Sequence, residues 1–436
     1  MSPLLDRAPG AAPAADAAPG RGLRICHLGK FYPPASGGME SHLQTLARAQ
    51  AALGAEVRVF CVNHRDRAGR DVTWRTFAAT ATVEERDGDV RVTRVGRRAA
   101  VARLELCPEL PWLLAALQRG GRADVLHLHV PNPTMLLPLA ALRQRVPLVI
   151  TYHSDVVLQR RLARLVRPFE HRVFRRAAAI LATSPAYAGG SEMLRAYGDR
   201  GGVLPFGIDL APYQRPSAEA LAEARRLRDE HGEPLWLAVG RLVYYKGLHN
   251  AVAALRQVAG RLLVVGEGPL GGELRAAAER AGVAGRVYWV GRLSEPALVG
   301  AYHAATALWF PSNARSEAFG LVQVEAMASG CPVINTAIPH SGVPWVSRHE
   351  ETGLTVPPDE PAALAAAANR LLEEPGLRRR LQEEARARAA REFDARLMAA
   401  RSLEVYRRVR VAAAAAHAPL AGPHAPLRLA GGLGVS

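Results

Sequence analysis

Two carboxylates stand where they could hold a sugar. Glu317 and Glu325, with seven residues between them, lie in S-E-A-F-G-L-V-Q-V-E-A-M-A-S-G-C-P, Ser316–Pro332. Glu317 sits in a loop that closes on Phe319-Gly320. Glu325 falls inside a predicted helix, because Leu321, Val324 and Ala328 recur at helical spacing and Gly330-Cys331-Pro332 stops it. A carboxylate just ahead of a helix, facing a cavity, accepts hydrogen bonds from sugar hydroxyls. A second one about two turns on, on roughly the same face, does the same for a ribose. Taken alone, each glutamate reads better as a helix cap or a solvated side chain.

Other stretches change that balance. Ser36-Gly37-Gly38 follows a predicted strand and precedes a helix. Glycines there let backbone approach a phosphate, and the helix N-terminus offers unpaired N–H donors. Val239-Gly240-Arg241-Leu242, followed by Lys246-Gly247, places Arg241 and Lys246 in a strand-to-helix loop. Lys246 is one of only two lysines, with Lys30, and a compact ammonium suits a phosphate oxygen. Val265-Gly266-Glu267-Gly268-Pro269 is a similar turn, but Pro269-Leu270 breaks the dinucleotide fingerprint. His127 and His129 share one face of a strand. With no further Cys/His cluster to complete a site, no metal is expected there. His129-Val130-Pro131-Asn132 and His153-Ser154-Asp155 leave consecutive strand ends. Asp87-Gly88-Asp89 reads as a hairpin turn rather than a D-x-D metal motif.

The string E-A-F-G-L-x-x-x-E-A-M-A-x-G-x-P-V resembles the signature of the retaining glycosyltransferases of family 4 type, which have the GT-B fold. That family includes the mannosyl-, rhamnosyl- and glucosyltransferases of surface polysaccharide and O-antigen assembly. Tyr152–Val157, Y-H-S-D-V-V, is similar in particular to members that use GDP-sugars. The resemblance implies a nucleoside-diphosphate sugar as donor, no cofactor and no metal. It implies that Arg241 and Lys246 neutralise the leaving diphosphate, that Glu317 orients the transferred sugar, and that His153 touches its reacting face. Donor contacts are implied for Gly37, Gly38, Gly266, Arg292, Leu293, Phe319, Gly320, Leu321 and, at the ribose, Glu325. Acceptor-side positions would be His129, Asn132 and Asp155.

The predicted elements that position these residues alternate strand and helix through both halves, an α/β pattern of two doubly wound parallel sheets. Two Rossmann-like domains facing across a cleft are expected. The boundaries read as a disordered leader (1–22), an acceptor-side domain (23–205), a linker (206–214) and a nucleotide-sugar domain (215–394). A helix crossing back (395–411) and a disordered tail (412–436) follow. The segment Val72–Val95 reads as a hairpin insertion.

The 436 residues carry a formal charge of +16. Counting through Phe206 gives 29 basic and 17 acidic residues, +12; the remainder, 27 against 23, gives +4. A basic first half suits phosphate-rich partners, and with no nucleic-acid motif the expected ones are a nucleotide and an anionic membrane surface. Arg160, Arg161, Arg164 and Arg167, interleaved with Leu162, Leu165 and Val166 and followed by Arg172, Arg175 and Arg176, form a predicted amphipathic basic helix that reads equally as a solvated face or as a surface for docking to an anionic membrane. The acceptor would then be a glycan or a lipid-linked sugar. Four cysteines without metal spacing fit a reduced compartment, and no apolar run is long enough to span a bilayer. A cytoplasmic protein, peripheral on the inner membrane face, is expected. Two alternatives remain open: a nucleotide-sugar 2-epimerase of the same fold, and a non-catalytic sugar-nucleotide-binding member.

Overall fold

A computed structural model of the chain describes residues 18–35, 37–64, 75–101, 104–155 and 160–417. Ser36, most of the expected leader and the end of the expected tail fall outside them.

The first half builds an eight-stranded sheet. Its order is Gly201–Val203, Ala179–Ala182, Leu148–Tyr152, Val125–Val130, Arg24–Leu28, Glu56–Val62, Val90–Val95, Val83–Asp87. All pairings are parallel except the last. The central strands are buried end to end, as V-L-H-L-H-V and A-I-L-A are, because helices cover both faces. The expected insertion is corrected here. Val90–Val95 pairs with Glu56–Val62 and is the third parallel strand of the sheet; only Val83–Asp87 is added to it. Gly88 and Asp89 do form the hairpin turn between them. A small antiparallel sheet, Arg75–Thr76, Ala99–Val101 and Leu104–Leu106, caps one end.

The second sheet has the order Val287–Gly291, Arg261–Val265, Leu235–Val239, Ala307–Phe310, Val333–Thr336, Gly353–Val356, all parallel. Numbered along the chain from Leu235, this order is 3-2-1-4-5-6. Strand order reverses between Leu235–Val239 and Ala307–Phe310, and ligands of such sheets bind beyond the carboxyl ends at that point. In the first sheet the reversal falls between Arg24–Leu28 and Val125–Val130.

The segment after Leu204, which includes the expected linker, is packed. Phe206, Ile208 and Leu210 are buried, and Ile208 pairs with Asp394. From there Ala395–His417 crosses as one helix onto the first half, burying Met398, Ala399, Leu403 and Tyr406 against Leu43, Leu46, Ala47 and Val57. The helix runs six residues beyond Val411, so the tail as expected begins too early. At the other end, Gly20 N–H donates to the Leu53 carbonyl, so the last residues of the expected leader are packed.

Candidate active site

The loops after the two central strands of the second sheet carry the chemistry. After Leu235–Val239 comes Gly240–Gly247, ending in a 3-10 turn, Tyr244–Lys246, ahead of the helix Leu248–Ala254. After Ala307–Phe310 comes Pro311–Gly320, ahead of the helix Leu321–Ser329. The loops are tied together: Asn313 N–H donates to the Tyr245 carbonyl at 3.0 Å, and the Tyr244 and Ser316 hydroxyls are 3.4 Å apart. Gly320 begins the helix at φ +80°, a left-handed conformation, and a Cβ there would press on the Phe310 ring.

Across this switch point Lys246 Nζ lies 2.6 Å from Glu317 Oε2. Both side chains are largely buried. The ammonium also sits 4.8 Å from the Phe310 ring centroid, a cation–π contact that fixes its place. Ser312 Oγ is 3.5 Å from the same carboxylate oxygen. Glu325 lies behind them, accepting a 2.7 Å bond from the Tyr302 hydroxyl. Desolvation raises the Glu325 carboxyl above its usual range, opposed by the Tyr302 bond and the Lys246 charge. One ammonium therefore acts on both carboxylates of the sequence pattern.

Arg241 is exposed, with its guanidinium 3.0 Å from the Tyr245 hydroxyl. It faces the first half. Burial raises the carboxyl of Glu40, in the first turn of the helix Gly38–Ala52, and the Arg241 and Lys30 charges act against that rise. A Cβ on Gly37 would fall on the Glu40 carboxylate, so the glycine loop and Arg241 share one acid across the cleft. Gly266 has φ +132°, and a Cβ there would strike the Gly240 carbonyl. It brings the two turns together instead of standing as an open phosphate loop. Arg292 is exposed, 3.5 Å from Glu267, and Leu293 packs on the core beside it.

Several of the expected site residues also have structural partners. The Phe319 ring is core, packed on Phe206 and Phe393. Leu321, partly exposed, also packs on that core. Asn132 is buried as the cap of the helix Pro133–Ala141, its Oδ1 accepting from Met135 N–H. Asp155 is a clasp between the halves: Arg315 Nη1 lies 2.7 Å from its carboxylate, which also accepts from Tyr152 and Ser191. Arg315 further lies over the Tyr187 ring and donates to the Tyr187 and His340 carbonyls. Its place two residues before Glu317 was the available signal. Arg176 donates to the Leu139, Ala140 and Leu142 carbonyls, capping a helix rather than facing out.

His129 is fully buried and reaches no cleft surface. The expectation that no other cluster joins His127 and His129 is also corrected. His27, His42 and His153 stand with them, and the groups His27/His127/His129 and His42/His129/His153 each bring ring nitrogens within 4.8 Å of one another. Those are the described residues that could hold a metal. Most of these nitrogens are already paired: His27 Nδ1 with His129 Nε2 at 3.1 Å, His129 Nδ1 with His153 Nε2 at 3.0 Å, His127 Nε2 with Thr151 at 2.7 Å. Both nitrogens of His42 are buried without a partner. Burial keeps all five rings neutral, lowering His27 to about 4 and His153 to about 3. The register His27↔His127 across adjacent strands carried that signal, had the strand order been known.

Known proteins show the same organisation. Residues 36–212 match the family described as Glycosyltransferase Family 4, and residues 222–388 match Glycosyl transferases group 1. The D-rhamnosyltransferase WbpZ of Pseudomonas aeruginosa is 37% identical over 276 residues, covering 63% of this chain and 71% of that protein. The O-antigen chain mannosyltransferase C of Escherichia coli is 29% identical over 378 residues, covering 86% and 95%. Among solved structures, sucrose-phosphate synthase from Thermosynechococcus elongatus aligns with a TM-score of 0.72 and 26% identity over 89% of this chain and 100% of that one. Matched in both halves, and built on the same two facing sheets, the chain belongs to the family 4, group 1 glycosyltransferases of GT-B fold and is itself a glycosyltransferase.

Proposed function

We propose that the protein moves a hexose of mannose or rhamnose type, with retention, from a GDP-linked donor to a glycan or lipid-linked acceptor. The observation that carries this is the Lys246–Glu317 pair at the switch point, with Arg241 beside it. Lys246 and Arg241 neutralise the diphosphate as it leaves. Glu317 accepts hydroxyls of the transferred sugar, and Glu325, held by Tyr302, accepts those of the ribose. His153 lines the reacting face. The C1–phosphate bond breaks and the C1–acceptor bond forms on the same face. The leaving phosphate oxygen takes the acceptor's proton, so no protein nucleophile and no metal is required. The relatives named for rhamnosyl and mannosyl transfer support the sugar class. Thermal shift with GDP, UDP and ADP, then turnover with the sugars of whichever base binds, tests it. Stabilisation by UDP alone overturns the GDP assignment. Release of free nucleotide without acceptor, with an epimerised sugar, would favour the 2-epimerase.

We also propose that the first half docks on the anionic inner face of the membrane. On the helix Arg160–Phe174, Leu165 and Phe169 are exposed beside Arg164 and Arg167, and Trp112 is exposed on the helix Leu110–Arg119; both helices pack on Pro133–Ala141. Among the described residues no helix is long and apolar enough to cross a membrane. Flotation with anionic against neutral vesicles tests this; Leu165→Glu with Phe169→Glu should abolish it. Equal recovery with both lipids overturns it.

A further inference from the structure

The crossing helix reaches the cleft through a hydrogen-bonded chain whose direction is fixed at its far end. Ser402 Oγ donates to the Ala399 carbonyl at 2.6 Å. Its proton so engaged, the Ser402 oxygen is an acceptor, and Gln50 Nε2 donates to it at 2.8 Å. Gln50 Nε2 also donates to the Tyr406 hydroxyl at 3.1 Å, and that hydroxyl lies 2.6 Å from His127 Nδ1. The amide of Gln50 is thereby oriented, with Oε1 toward His27 Nε2 at 2.8 Å. An amide oxygen can only accept, so His27 carries its proton on Nε2.

The rest follows by alternation, since a neutral imidazole has one donor and one acceptor. His27 Nδ1 must accept from His129 Nε2. His129 Nδ1 must then accept from His153 Nε2. Nδ1 of His153 is left as a bare lone pair, with no partner among the described residues. Gln50, Ser402, Tyr406, His27 and His129 are all fully buried, and His153, 7% exposed, is the end that meets the cleft.

We infer that Gln50, oriented by Ser402 and Tyr406 of the crossing helix, is a positioning residue that sets the tautomer of His153 through His27 and His129. His153 then presents an acceptor, never a donor, to a substrate hydroxyl. Without Gln50 the three rings could reverse together, His153 carrying its proton on Nδ1, at no cost in ring-to-ring hydrogen bonds. The kinetic consequence rests on the proposed place of His153 at the reacting face; the tautomer itself does not.

The test is nitrogen-15 NMR of histidine-labelled full-length protein, with His153 assigned by loss of its signals in His153→Gln. The expected result is Nε2 protonated and Nδ1 bare at His153, His129 and His27. Gln50→Leu should give a mixture at His153 and lower kcat by about tenfold or more with donor KM held, as when an imidazole loses the partner that fixes its tautomer. Gln50→Glu keeps the acceptor toward His27 and should restore both. Ser402→Ala, a milder change, should shift the mixture in the same direction if Gln50→Leu does not fold. A proton on Nδ1 of His153 in the wild type overturns the inference, as does a folded Gln50→Leu with the wild-type tautomer. Stoichiometric zinc in the purified protein, absent from His153→Gln, overturns it in favour of a metal site. A normal tautomer shift with unchanged kcat leaves the chain standing and removes His153 from the reacting face.

Discussion

The Lys246 ammonium and the Glu317 carboxylate, 2.6 Å apart, neutralise each other across the switch point of the second sheet. The two residues come from loops more than sixty positions apart, and each occupies the partner the other would give to substrate. In the proposed mechanism a donor diphosphate draws Lys246 toward itself and frees Glu317 for the sugar, so that binding and sugar orientation would be linked through one ion pair.

Removing either cation should lower turnover without unfolding the protein. Lys246→Ala and Arg241→Ala are each expected to lose about 2–4 kcal/mol of transition-state stabilisation, the scale of one preorganised electrostatic donor. Lys246→Ala should also cost some stability, because it leaves the Glu317 carboxylate largely buried and unpaired. Steady-state kinetics with thermal unfolding checks both; wild-type kcat/KM in both variants contradicts the roles.

The two aspartates of the hairpin should part company. Asp87 accepts from Tyr32 at 2.6 Å, from Gln44 at 3.0 Å and from Arg48 at 2.9 Å, which ties the hairpin to the helix Gly38–Ala52. Burial alone would raise its carboxyl, but these bonds outweigh it and hold it below the usual range. Asp87→Asn should destabilise by about 1.5–3 kcal/mol, and Asp89→Asn should change little. EDTA should leave turnover of the wild type unchanged. Loss restored by Mn²⁺ would return the pair to a metal role.

Acid should unfold the first half early. His27, His42, His127, His129 and His153 stay neutral when folded but titrate near 6.5 when unfolded. Below that pH the unfolded chain binds more protons, so stability falls as pH falls, from about 6.5 down toward the depressed folded values. Each histidine adds a slope of up to about 1.4 kcal/mol per pH unit. Denaturant unfolding between pH 7 and 4.5 should show the uptake of about five protons, and His42→Leu should remove one. A flat profile contradicts the neutral cluster.

The clasp between the halves should govern opening more than stability. Arg315→Met removes a partly exposed ion pair with Asp155 and the stacking on Tyr187, together about 1–2 kcal/mol. Hydrogen exchange in the segment 184–191 should quicken while the melting temperature moves by a few degrees at most. Unchanged exchange would mean the contact holds nothing.

Much of this was legible because parallel strands buried on both faces are apolar runs, as A-L-W-F and L-W-L-A-V are. Gly353–Val356, short and led by glycine, gives no such signal. Val90–Val95 misled because R-V-T-R-V carries arginines; Arg94 is buried, paired with Glu85 at 2.6 Å and bonded to the Tyr32 and Pro33 carbonyls. The residues of the second-half site were visible as a string, but not that Lys246 and Glu317 pair, since loop proximity depends on strand order. Beyond the H-x-H of His127 and His129, the histidine cluster and the Asp155–Arg315 clasp were invisible for the same reason: the hydrogen-bonded pairs His129–His153 and His27–His129 and the ion pair lie 24, 102 and 160 positions apart and meet only once the sheets are assembled.

The division of the donor between the two glutamates is tested most directly by calorimetry of free nucleoside diphosphate, using the base that stabilises the wild type. Glu325→Gln should weaken it by about 1.5–3 kcal/mol, the loss of the charged hydrogen bond to the ribose that the proposed function assigns to Glu325. Glu317→Gln lacks only a sugar contact and releases Lys246, so its diphosphate affinity should hold or rise while kcat for transfer falls steeply. Equal losses of diphosphate affinity in the two variants would contradict the assignment.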